Sequence, residues 1–349
     1  MPIARPRRPH AALLALLALA ACRGTAGGPD TARGPEGART AAASGFATVD
    51  SVRLLADVEF LSHDTRAGRR LGTPGNADAR LYLSRQLAEI GAQPVAGGVA
   101  DTPYAHAFRA ARRGAAAGDS VTGYNVVAQV RGTRTPDRVL VVSAHYDHVG
   151  IGRPVNGDSI YNGADDNASG TAALLAVARE LVARPPEHTV ILLWPDGEEM
   201  GLLGARAFVA NPPVPKASIA MNVNFDMISR DVKGELWIAG PTKWPKLRPL
   251  ADRLAADAPV SIRIGHDSGS ASYDWTSQSD QGAFHAAGIP FLYFGVEDHP
   301  DYHKPSDSFE RLTRGFYVRA ARTVIEAVRR ADHCLPVLTG SGAAPAGCS

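Results

Sequence analysis

The chain has 349 residues, with 37 Lys and Arg against 35 Asp and Glu and a formal charge of +2. That length can bury a large core, as one big domain or two ordinary ones. Such an even charge balance argues against a nucleic-acid binder, which needs a basic face.

The clustered Arg5, Arg7 and Arg8 at the N-terminus have another explanation, because an apolar run from Ala11 to Ala21 follows them. The run is short for a bilayer span and fits the h-region of an export signal. It ends in Leu19-Ala20-Ala21-Cys22, which resembles the lipobox of bacterial lipoproteins. The resemblance implies lipidation at Cys22 and a place on the periplasmic side of the cell envelope; plain secretion is the alternative. Residues 23–49 read as a flexible linker, since Gly24 to Ser44 has almost no large apolar side chain. A catalytic domain is expected over 50–333 and a tail over 334–349. Cys334 and Cys348 can pair in an oxidising compartment or stay free, and neither has zinc-motif spacing.

From Asp50 to Ser62 the pattern predicts a helix. A turn at Gly72-Thr73-Pro74-Gly75 leads to a second, with Asn76 as N-cap, Leu83, Leu87 and Ile90 on one face, and Gly91 as its stop. Gly97 to Gly118 is polar and Gly/Ala-rich and reads as a surface excursion. Val139–Ser143, Thr189–Trp194 and Ile219–Phe225 are short apolar or β-branched runs, as in strands covered on both faces. Helices are expected from Ala168 to Ala183 and from Gly315 to Ala331. Alternating strands and helices imply an α/β fold, a three-layer α/β/α sandwich with a mixed, mostly parallel central sheet in a single catalytic domain.

Function in such a sheet gathers beyond the C-terminal strand ends. There the chain places Ala144-His145-Tyr146-Asp147-His148, Gly163-Ala164-Asp165-Asp166-Asn167, Pro195-Asp196-Gly197-Glu198-Glu199, Asp226, and Asp301-Tyr302-His303-Lys304-Pro305. Each alone has an ordinary reading: a hydrogen-bonded pair, a solvated turn or an exposed helix. Together, in this order, they read as a metal centre. Imidazole nitrogens and carboxylate oxygens are zinc ligands, and one carboxylate can bridge two ions. His145, Asp165, Glu199, Asp226 and His303 carry three negative charges, which two Zn²⁺ ions and a hydroxide bring close to neutral. Without metal, three carboxylates would repel one another in a cleft.

The segments GRRLGTPGN, NVVAQVRG, SAHYDHVG, NGADDNASG, DGEEMGLLGAR, NFDMI and DYHKPSDS resemble, in order, those of the two-zinc aminopeptidases. That superfamily also holds glutamate carboxypeptidase, glutaminyl cyclase and the transferrin receptor ectodomain. The resemblance covers roughly Asp50 to Arg330. It implies that Asp165 bridges two zinc ions, that His145 and Asp226 complete one position and Glu199 and His303 the other, and that Glu198 is the general base. Tyr302 would steady the substrate carbonyl, and a cis peptide would join Asp165 to Asp166.

Neighbouring side chains on extended backbone point apart, so Glu199 can face a metal while Glu198 faces the water it deprotonates. Asp147 is expected to accept the other imidazole N–H of His145 rather than to ligate. His148, His266, His285 and His299 read as hydrogen-bonded histidines, and Asp280 lies where the family often has a substrate-side loop. The expected activity is removal of the N-terminal residue of peptides, with no nucleic-acid partner and no membrane contact except through Cys22. A glutaminyl cyclase, a carboxypeptidase or dipeptidase, and a metal-free binding module are the rivals. The cyclases typically lack the second aspartate of NGADDNASG, and the binding modules lose ligands.

Overall fold

A computed structural model of the protein describes residues 46–99, 102–111, 120–270, 273–338, 340, 345, 347 and 348. The expected leader, lipid site and linker up to residue 45 therefore lie outside the described residues. No helix among the described residues is long and apolar enough to cross a membrane.

In chain order the elements are α1 (Ser51–Ser62), α2 (Pro74–Ile90), β1 (Gln93–Pro94), β2 (Ala105–Ala111), β3 (Ser120–Val130), β4 (Thr135–Ser143), β5 (Gly150–Val155), β6 (Asp158–Tyr161), α3 (Gly170–Ala183), β7 (His188–Trp194) and α4 (Leu203–Ala210). Then follow β8 (Ile219–Phe225), β9 (Glu235–Ala239), α5 (Arg248–Asp257), β10 (Ser261–Ile264), α6 (Gln281–Ala286), β11 (Phe291–Gly295) and α7 (Arg314–Leu338).

Local chemistry sets the helix ends. The Asp50 side chain accepts from the N–H of Arg53 and starts α1, whose Leu54, Val58 and Leu61 are buried at helical spacing. The α2 cap is Thr73, which accepts from the N–H of Asn76 with Pro74 at the first helical position. Asn76, expected as the cap, instead spends its amide on Arg69 O and Asp196 Oδ1. Gly91 closes α2 with φ 85°.

One sheet runs in the order β1-β3-β7-β4-β8-β11-β9-β10, with β2 beside β3. The centre, β7-β4-β8-β11, is parallel. The flanks are antiparallel at β1–β3, β2–β3, β3–β7 and β9–β11, and β10 returns parallel to β9. Parallel and antiparallel pairings are thus equal in number, so the sheet is mixed rather than mostly parallel. The expected surface excursion contains β2, whose one face is solvated and whose apolar signal is weak.

Side chains of the central strands alternate between two cores, as a period of two requires. Leu140, Val142, Val190, Leu192 and Trp194 face the larger core with Leu174 and Val177 of α3 and Phe316 and Val324 of α7. Val139, Val141, Ile191 and Leu193 face a smaller one with Phe208 of α4 and Phe284 of α6. A sheet covered on both faces by helices leaves its C-terminal strand ends as the open edge.

The last helix runs seven residues beyond the expected Ala331, with Pro336 inside it. Cys334 and Cys348 form a disulfide with Cα atoms 5.3 Å apart.

Candidate metal centre

Three strand ends, one loop and one turn converge. His145 follows β4, Glu198 and Glu199 follow β7, Asp226 follows β8, and Tyr302 and His303 lie on the loop after β11. The Ala164–Ser169 turn before α3 supplies Asp166. His145, Asp166 and Asp226 each offer one ligand atom within a common 4.8 Å, and so do His148, Asp166, Glu199 and His303. Asp166 belongs to both groups. Its Oδ1 lies 3.4 Å from His145 Nε2 and its Oδ2 3.0 Å from His303 Nε2. The two groups close through His145 Nε2 to Asp226 Oδ1 at 3.2 Å and His303 Nε2 to Glu199 Oε2 at 3.2 Å.

The expected bridge, Asp165, is in neither group. Its Oδ1 accepts from Ser229 N at 2.7 Å, Ser229 Oγ at 2.6 Å and Ser169 Oγ at 3.2 Å, and its Oδ2 faces His299 Nε2 at 3.2 Å. The turn sends the two neighbouring carboxylates opposite ways, one into the protein and one into the cluster. The cis peptide also falls one bond later than expected, at Asp166–Asn167. The Asn167 amide donates to Phe225 O at 2.8 Å and its oxygen accepts from Gly170 N at 2.9 Å, tying the turn to β8 and to the start of α3.

Asp147 lies outside both groups; its carboxylate stands 3.7 Å from His145 Nδ1 and helps raise that imidazole, and the same nitrogen sits 3.2 Å from the backbone carbonyl of Asp147. Asp147 Oδ1 accepts the N–H of Glu198 at 3.0 Å. His148, read from sequence as an ordinary hydrogen-bonded histidine, is fully buried with no hydrogen-bond partner at either nitrogen. It belongs with Glu199 and His303.

Two further residues gave little sequence signal. Arg69, inside the GRRLGTPGN segment, is fully buried and donates to the carbonyls of Tyr146, Leu61, Asn162, Gly163 and Asp166. Burial lowers its guanidinium to about 10, against the pull of Asp166 and Asp147. It clamps the His145 segment to the turn bearing Asp166. Asp307 accepts the N–H groups of Asp165 and Asp166 at 3.1 Å and holds the same turn from the other side. Asp280, before α6, is fully buried with neither carboxylate oxygen hydrogen-bonded. Burial raises it to about 8, with Asp147 and Asp226 adding and His145 opposing.

The donor set fits divalent metal. Asp166, Glu199 and Asp226 face histidines, and Glu199 Oε1 and the His148 nitrogens are buried without hydrogen bonds. Buried polar atoms are rarely left so, and ligand atoms around an ion account for them. Nitrogen and oxygen donors of this kind suit zinc.

Burial raises the Glu198 carboxyl well above the ordinary range; His145 opposes, and Asp226, Asp280 and Glu199 add to the rise. Tyr302 stacks on His303 with ring centroids 4.0 Å apart. Burial, then Asp166 and Asp226, raises its phenol and keeps the hydroxyl protonated.

The chain matches the profile of "Peptidase family M28" over residues 125–328. It is 29% identical to the aminopeptidase YwaD of Bacillus subtilis over 226 residues, 60% of this chain and 45% of that protein. The chain spans less than half the length of the first curated relatives it matches. Among solved structures, an aminopeptidase from Aneurinibacillus sp. strain AM-1 superposes with TM-score 0.61 at 17% identity, covering 81% of this chain and 94% of the other. Porphyromonas gingivalis glutaminyl cyclase superposes with TM-score 0.62 at 18% identity, covering 80% and 98%. At such identities the likeness concerns the fold.

Proposed function

The chain belongs to peptidase family M28, and from that membership and the geometry of its site we propose that it is a zinc-dependent aminopeptidase that uses two ions. The carrying observation is Asp166, whose two oxygens face the two ligand groups separately. His145 and Asp226 would complete one position and Glu199 and His303 the other. Ions held there would supply Lewis acidity, which lowers the pKa of bound water to roughly 7 and polarises a carbonyl.

The protein's own part is proton handling and positioning. Glu198 lies outside both ligand groups, and its raised pKa suits a carboxylate that takes a proton from water and returns it to the leaving amine. Asp147 fixes the backbone that carries Glu198. Tyr302, stacked on His303 with its proton retained, can donate to the substrate carbonyl oxygen.

A glutaminyl cyclase reading shares the fold. The shared Asp166 and the complete second group favour hydrolysis with two ions over a single-ion transferase. A panel of free and N-blocked aminoacyl substrates, with and without chelator, tests the proposal. Free-amine substrates should turn over and chelator should abolish the reaction. Equal turnover of blocked substrates, or pyroglutamate formed from an N-terminal glutamine peptide without hydrolysis, would contradict it. For localisation, we propose export with a lipid anchor at Cys22, tested by mass analysis of the mature N-terminus.

A further inference from the structure

His148 is the one member of the two ligand groups with no part in the proposed function. Its Nδ1 lies 2.6 Å from Glu199 Oε1 and 3.7 Å from Asp166 Oδ2. The two atoms pair at that distance, which lowers the Glu199 carboxyl, but neither meets a partner with the alignment of a regular hydrogen bond. The His148 ring centroid stands 5.7 Å from that of His303 at 66°.

The fold holds the ring there. Gly163 packs directly on His148, and a Cβ at that position would collide with the His148 ring and with the carbonyl of Asp166. The glycine has φ 57°, so both its space and its backbone favour the absence of a side chain. Arg69 fixes the Gly163 carbonyl at 2.6 Å.

Resting on the two-ion reading, we propose that His148 is a fourth protein ligand at one position, which makes the two positions unlike. One is closed by His148, Asp166, Glu199 and His303. The other is held by His145, Asp166 and Asp226 alone and is open. Two imidazoles and two carboxylates complete a tetrahedral zinc shell, as in structural sites, whereas three protein ligands leave the place that catalytic sites keep for reactants. An ion at the four-ligand position would therefore be held more tightly, and one at the three-ligand position would keep a place for substrate.

The test is metal binding, not turnover. Metal-free protein is loaded with one equivalent of zinc, and X-ray absorption counts the imidazoles on the ion. The expected result is two in the wild type and one in His148→Ala and His148→Gln. Competition with a chelator should show the first ion weakened by more than about 100-fold in both variants, beyond the 10–100-fold that losing an outer hydrogen-bond partner costs. One imidazole in the wild type, or an unchanged count and affinity in the variants, overturns the proposal and leaves the two-ion reading standing. A wild-type chain that takes up no zinc removes that reading and the proposal with it.

Discussion

The backbone N–H of Glu198 donates to the carboxylate of Asp147 at 3.0 Å. That bond joins the segment after β4 to the turn after β7, and it fixes the backbone of Glu198, the proposed proton acceptor. Asp147→Ala should lower kcat by about 10–100-fold, the usual cost of losing such a support, with zinc content unchanged. Asp147→Asn keeps an acceptor oxygen and should restore most of the loss. Zinc analysis beside steady-state kinetics checks both; a loss of metal in the alanine variant would make Asp147 a ligand instead.

Asp165 and Asp166 are neighbours with different surroundings, so their variants should differ in kind. Asp166→Ala removes the carboxylate common to both groups and should take zinc content from the proposed two ions toward none. Asp165→Asn should keep the metal. It weakens the acceptor of the Ser229 N–H and hydroxyl and should cost about 1–3 kcal/mol of stability. Zinc analysis and urea unfolding separate the two effects, and equal metal loss in both variants would refute the assignment.

Zinc uptake should release protons. Burial alone would lower the His303 imidazole, but its bonds to Asp166 and Glu199 carry it up to about 11. His145 is likewise raised well above its ordinary value, burial being overridden first by Asp226 and then by Glu198. In the metal-free protein both rings therefore hold a proton at neutral pH, and an ion must displace it. Affinity should climb as pH rises toward those raised values and fall as pH drops. Calorimetric titration near pH 7 in buffers of different ionisation heat should report about two protons released per chain. No release would mean the rings are already neutral.

Arg69 satisfies five carbonyls in a place that water does not reach. Arg69→Met should destabilise the fold by roughly 3–5 kcal/mol, the range for breaking a buried charged network. Arg69→Lys keeps the charge but loses the planar fork of donors, so it should recover little. Denaturant unfolding measures both, and a full rescue by lysine would show that charge alone matters.

The sequence by itself determined the central strands and the chemistry at their ends. Val139–Ser143, Thr189–Trp194 and Ile219–Phe225 are apolar on both faces because helices cover both sides of the sheet. Sheet geometry then sends His145, Glu198, Glu199 and Asp226 to one edge. Weak, half-solvated β2 gave no such signal, nor did the antiparallel flanks. Tertiary structure alone decided which aspartate of the pair faces the cluster. That choice depends on Ser229, 64 residues from Asp165, and on Asp307, 141 residues from Asp166. The same holds for His148, which is aimed at Glu199 by a glycine and an arginine distant in the chain. A sequence says which donors arrive at a strand end. The direction each side chain takes is fixed by turn dihedrals and by partners that only folding brings near.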